Sequence, residues 1–166
     1  MAAHEHRHSS PRSVTFGITT VSDSRTTETD TSGDLIYRLV TEKGHRVAGR
    51  RIARDDADEI LAALKEFIEG PAEAVVFTGG TGITSRDVTY ETLRPLIDKF
   101  LDGFGELFRF LSFREVGSAA IMSRAFAGTS GGKLVFCLPG SPDAVRLAME
   151  ELILPEIGHL VREVRR

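Results

Sequence analysis

Residues 74–87, Ala74-Val75-Val76-Phe77-Thr78-Gly79-Gly80-Thr81-Gly82-Ile83-Thr84-Ser85-Arg86-Asp87, decide how the rest of the chain is read. The opening run, Ala74 to Phe77, is short, continuous and apolar with β-branched residues. That is the pattern of a strand buried on both faces. The run stops at Thr78, and Gly79, Gly80 and Gly82 follow almost at once. Without Cβ atoms, such a backbone can take positive φ and bring its N–H groups close to a ligand. A strand ending in a loop of this kind, just ahead of a helix, is the usual place for an anion in an open α/β sheet. Arg86 and Asp87 set two opposite charges directly behind it.

Outward from this stretch, strands and helices alternate. Residues 14–21 predict a first strand, with Ser22-Asp23-Ser24-Arg25 at its carboxyl end. Ser32-Gly33 opens a helix whose apolar stripe is Leu35, Ile36, Leu39 and Val40, and Gly44 can cap it. Residues 45–52 predict a more polar strand near an edge. Asp56 and Glu59 resemble a capping box. The helix they open should bury Ile60, Leu61, Leu64, Phe67 and Ile68 before Gly70-Pro71 ends it. Thr89 is placed to cap a helix through residue 97, with Pro95 kinking it or confining it to a short piece. Residues 100–115 concentrate phenylalanine (Phe104, Phe108, Phe110, Phe113), which suggests a subunit interface.

Further on, residues 117–122 predict a short helix, residues 128–132 a turn, and residues 133–138 the last buried strand. Ser141 should cap a helix with Pro142 at its first position, and Pro155 should break that helix. The expected fold is therefore an α/β three-layer sandwich, a mostly parallel central sheet with helices on both faces. One domain spans residues 14–166, behind a polar, flexible arm over residues 1–13 in which His4, His6 and His8 could bind metal only adventitiously. In a parallel sheet the carboxyl ends of the strands share one edge. The loops at Ser22, Gly79 and Pro139 should thus converge on one crevice.

Composition narrows the function classes. A net charge of −3 leaves no basic face suited to nucleic acid. No apolar run approaches the roughly 20 residues of a bilayer span, and the first residues lack the apolar run of a secretory leader. The lone cysteine, Cys137, sits in an apolar run and reads as core, which suits a cytoplasmic protein. Several motifs fail on inspection. The glycine loop has Ser85 where a dinucleotide fingerprint needs a third Gly or Ala, and no Gly-Lys-Ser/Thr closes it as a P-loop. Gly128-x-Ser130-x-Gly132 matches a nucleophile elbow in spelling, but a strand follows it where a helix is required. No Cys/His spacing suits zinc.

What remains is a crevice with backbone donors, hydroxyls at Thr78, Thr81, Ser85 and Ser141, and carboxylates at Asp23, Asp30, Asp55 and Asp87. Donors and hydroxyls suit phosphate. Carboxylates beside phosphate need a divalent cation or an amino-bearing heterocycle to face. A nucleotide with Mg²⁺ meets that condition, and so does a pterin or guanine edge. Asp55 could instead serve as a helix-end residue and Asp30 as a solvated loop acid.

The motifs Thr78-Gly79-Gly80-Thr81-Gly82, Arg86-Asp87-x-Thr89-x-Glu91, Leu101-Asp102-Gly103-Phe104-Gly105-Glu106-Leu107, Ser123-Arg124-Ala125 and Leu138-Pro139-Gly140-Ser141-Pro142, in this order, resemble the MoaB/MogA family of molybdenum cofactor biosynthesis. The resemblance spans residues 14–161, is closer to the MoaB branch, and departs at Tyr90, where the family usually has Pro. It implies adenylylation of molybdopterin by Mg-ATP with release of pyrophosphate, and a homo-oligomer, trimer or hexamer. It also implies that Asp55 and Asp87 are the functional acids, holding Mg²⁺ or substrate. The implied substrate contacts are Ser22, Asp23, Thr78, Gly79, Gly80, Thr81, Gly82, Ser123, Pro139, Gly140 and Ser141. The terminal phosphate of molybdopterin is already an anion, so these acids should position charge and not shuttle protons. A molybdopterin carrier or scaffold without chemistry is the alternative.

Overall fold

The structure, a computed structural model, describes residues 10–166. The expected arm falls largely on residues 1–9, outside the described residues. Six strands form one sheet in the order β2-β1-β3-β6-β5-β4. They are β1 (Thr15–Val21), β2 (Arg46–Ala53), β3 (Ala74–Thr78), β4 (Lys99–Phe100), β5 (Phe126–Ser130) and β6 (Lys133–Leu138). The pairs β1–β2, β1–β3 and β3–β6 are parallel, whereas β5 runs antiparallel to β6 and β4 antiparallel to β5.

Alternation along the central strands builds the three layers. Ala74 and Val76 of β3, with Leu134, Phe136 and Leu138 of β6, face one core; Val75, Phe77, Val135 and Cys137 face the other. The first core is closed by α1 (Thr31–Glu42), α4 (Asp102–Val116), α5 (Pro142–Leu147) and α6 (Leu154–Val164). The second is closed by α2 (Ala57–Glu69) and α3 (Thr89–Leu93). Phe16, Phe77, Phe108 and Phe136 are fully buried, a contribution of about 1.5–3 kcal/mol each. No helix among the described residues is long and apolar enough to cross a membrane.

Five local expectations need correction. Leu61 is exposed, because Ile60, Leu64 and Phe67 already define the inward stripe of α2 and Leu61 lies a helical step off it. The capping box is half formed: the Asp56 side chain accepts from Glu59 N, but the Glu59 carboxylate turns to Arg54 N at 2.8 Å. Thr89 does not cap α3; it is the first helical residue, and Pro95 sits in a short 3₁₀ turn, Arg94–Leu96, that ends the helical stretch. The expected turn over residues 128–132 shrinks to Gly131-Gly132, since Gly128 to Ser130 belong to β5. Both glycines have positive φ, 54° and 75°, as a two-residue hairpin turn requires. Finally, Pro155 does not break the last helix. A wide π stretch, Ala148–Ile153, joins α5 to α6, and Leu154 N reaches back to Met149 O. This places Pro155 in the first turn of α6, where its missing N–H costs little.

Candidate functional site

Parallel pairing aligns the carboxyl ends of β1, β3 and β6, and a crevice of about 620 Å³ opens across them. Ser22, Thr78 through Gly82, Asp87, Ser123 and Pro139 through Ser141 all line it, as the sequence leads one to expect. Asp23 and Asp55 stand outside this lining, and Ser85 is exposed and also outside it.

The loops are locked to one another before any ligand is considered. Thr78 Oγ1 donates to Pro139 O at 2.8 Å, and Ser32 Oγ donates to Gly140 O at 2.7 Å. Ser141 Oγ accepts from Ala144 N and caps α5. The hydroxyls of Thr78 and Ser141 are therefore engaged in holding the crevice together. In the glycine loop, Gly79 N donates to Leu138 O at 3.1 Å, and Gly80 O accepts from Thr89 N at 2.9 Å. Gly80 has φ of 65°, and a Cβ there would collide with Thr89 Oγ1 and stand 2.7 Å from Asp55 Oδ1. Only glycine allows this approach.

The four acids separate into distinct roles. Asp30 is buried and not a solvated loop acid. It caps α1 through Gly33 N, accepts from Thr20 Oγ1 at 2.9 Å and pairs with Arg50 at 3.2 Å. Asp23 accepts from Asp55 N at 3.0 Å and pairs with Arg86 at 2.7 Å. Asp87 accepts from the Thr84 hydroxyl at 2.6 Å and from Thr84 N at 3.0 Å. The hydroxyl bond is the first cause that holds its carboxyl below the ordinary aspartate range, so it stays ionised. Asp55 is opposite in character. Burial first, and then the charges of Asp23 and Asp87, push its carboxyl above the ordinary range.

That contrast bears on a cation. Among the described residues no three His, Cys, Asp or Glu side chains gather into a ready-made metal site. Mg²⁺, however, is commonly held by one or two carboxylates together with substrate phosphates. A carboxylate destabilised by burial and then by like charges, beside a second one that remains ionised, is a donor set that a divalent cation would relieve. Asp55 and Asp87 fit that group.

Two cations escaped the sequence reasoning. Arg25 lines the crevice, with Nη1 bonded to Thr29 O at 3.0 Å. Arg124 reaches the glycine loop from the far side, donating from Nε to Thr81 O at 3.0 Å, from Nη2 to Gly82 O, and to the Glu91 carboxylate. The usable signal for Arg124 was the antiparallel hairpin, which brings the residues before β5 to the same edge as the residues after β6.

A family profile described as "Probable molybdopterin binding domain" matches residues 17–159. The molybdenum cofactor biosynthesis protein B of Bacillus cereus is 49% identical over 168 residues, covering 100% of this chain and 99% of that one. The chain belongs to this family of molybdenum cofactor biosynthesis proteins. A crystal structure of a molybdenum cofactor biosynthesis protein B superposes with a TM-score of 0.91 at 49% identity, covering 94% of this chain and 98% of that one. The tungsten cofactor synthesizing protein MoaB of Pyrococcus furiosus gives 0.85 at 41% identity, covering 94% and 99%. In this MoaB-family chain Tyr90 supplies a ring whose centroid lies 4.7 Å from the Arg124 guanidinium.

Proposed function

We propose that this chain binds molybdopterin and transfers an adenylyl group to it from Mg-ATP, releasing pyrophosphate. The observation that carries the reading is the convergence of three locked strand-end loops on one crevice, with Asp55 and Asp87 at its glycine loop. The terminal phosphate oxygen of molybdopterin attacks the α-phosphorus of ATP. That P–O bond forms as the bond to pyrophosphate breaks, and no proton has to move. Barrier lowering then comes from orientation and from charge neutralisation. A divalent cation held by Asp55 and Asp87 would supply neutralisation of the phosphates. Arg25 and the loop amides would face the same oxygens, and the tied loops hold the seat in place before binding.

The apolar face of α4 and the 3₁₀ turn after it (Gly117–Met122) supports self-association beside the site. Phe110 is 60%, Phe113 59% and Ile121 87% exposed, and the neighbouring Val116 and Met122 reach the crevice. The proposal includes a homo-oligomer, trimer or hexamer, built on this face. Phe110→Ser combined with Phe113→Ser should yield a monomer in analytical ultracentrifugation. A cytoplasmic location completes the reading. There the buried Cys137, whose thiol burial pushes upward, remains a protonated core group.

The deciding experiment is incubation with molybdopterin and Mg-ATP, assaying adenylylated pterin and pyrophosphate together. Both products should appear in equal amounts. Asp87→Asn should lower turnover by about 100-fold while the fold persists. Pterin binding without pyrophosphate would identify a carrier instead.

A further inference from the structure

Three successive carbonyls of the glycine loop are held by partners outside the loop. Gly80 O is taken by Thr89 N, Thr81 O by Arg124 Nε, and Gly82 O by Arg124 Nη2. The same guanidinium pairs with both oxygens of Glu91 and lies over the ring of Tyr90. Its side chain is 24% exposed, so it works as a partly buried brace against the outer side of the loop. In a trans peptide a carbonyl and the next residue's N–H point in opposite directions. Fixing the carbonyls of residues 80–82 therefore fixes where the amides of residues 81–83 can point.

From this geometry we infer that Arg124, held by Glu91 and Tyr90, is a positioning residue that keeps the amide side of the glycine loop turned toward an anionic ligand. The inference rests on reading the crevice as a polyphosphate seat. Peptide planes next to glycine turn over easily, and a turned plane would aim a carbonyl at phosphate in place of an N–H. Three features suit arginine to this task. Its planar fork reaches two carbonyls and a carboxylate at once, it keeps its charge, and it stacks on an aromatic ring. Lysine could supply the charge but not the fork. Arg124 acts from behind the loop, through the backbone, so its role is distinct from that of Asp55 or Asp87.

The test uses the full chain with Arg124→Lys, Arg124→Met and Glu91→Gln. Amide hydrogen exchange without ligand should be faster at Thr84 and Thr89, whose N–H groups bond across the loop to Asp87 and Gly80, in both Arg124 variants. Exchange in β3 and β6 should not change. Calorimetric titration with Mg-ATP should show binding weakened about tenfold to a hundredfold in both, with Glu91→Gln less affected. In the pyrophosphate assay KM should rise by more than kcat falls. An Arg124→Lys protein that exchanges and binds as wild type would overturn the inference, leaving only a charge effect. If the wild-type chain does not bind Mg-ATP, the nucleotide reading fails, while the exchange data still decide whether Arg124 holds the loop.

Discussion

The two halves of the sheet reach the same crevice by opposite rules. On the parallel side, β1, β3 and β6 each deliver the loop that follows the strand. On the antiparallel side, Phe126 of β5 pairs with Cys137 of β6, so β5 delivers the segment that precedes it, Ser123 to Ala125. The parallel half supplies backbone amides and acids. The antiparallel half supplies a cation that braces the loop from behind, together with the apolar face of α4. One half forms most of the crevice and the other ties down its glycine loop.

The sharpest way to break this comparison is to put the same change into a glycine turn at each end of the molecule. Gly80→Ala, at the crevice, forces a left-handed backbone onto a residue with a Cβ, at about 1–2 kcal/mol. It also drives that Cβ into Thr89 Oγ1 and toward Asp55. Turnover should fall to background, and denaturant titration should show a loss beyond the backbone cost alone. Gly132→Ala, in the hairpin turn at the opposite edge, has φ of 75° but no atom within 4 Å of the added Cβ. It should cost only about 1 kcal/mol and leave turnover as in wild type. If the two variants behaved alike, the crevice loop would be no more than a turn.

The smallest effect concerns Asp55. Its carboxyl is raised above the ordinary value of 3.8 in the folded chain. The protonated form is therefore favoured on folding, and the associated stability is fully present below the unfolded pKa. It is lost as pH rises through the folded pKa. Asp55→Asn removes that loss and should stabilise the chain at pH 7 by at most about 0.5 kcal/mol after solvent screening. The gain should vanish in thermal melts near pH 3, while activity at pH 7 drops. A variant less stable than wild type at pH 7 would mean that the bond network around Asp23 and Arg86 outweighs the repulsion.

Much of the crevice was legible in sequence because it follows from local chemistry. An apolar β-branched run such as Ala74 to Phe77 has few alternatives to a buried strand, and three glycines after it leave few uses for the loop. Ser141 before Pro142 marks a helix start by its spelling alone. Other features depended on what packs nearby. Pro155 reads as a helix breaker until a π stretch widens the preceding turn and admits it. Leu61 reads as core until its neighbours fill the inward stripe. Gly128 to Ser130 reads as turn until pairing with β6 draws it into a strand. Asp30 reads as a loop acid until Thr20, Gly33 and Arg50 surround it.

By itself, then, the sequence determined the alternation of strands and helices, the three strand-end loops and the acids offered with them. These are set by side chains within a few positions of one another. Only the tertiary structure decided which acid is strained and which is satisfied, since Asp55 owes its state first to burial and then to Asp23 and Asp87 across the loops. It alone decided that Arg124 stands behind Thr81 and Gly82. That contact spans some forty residues and exists because an antiparallel hairpin folds the chain back to the same edge.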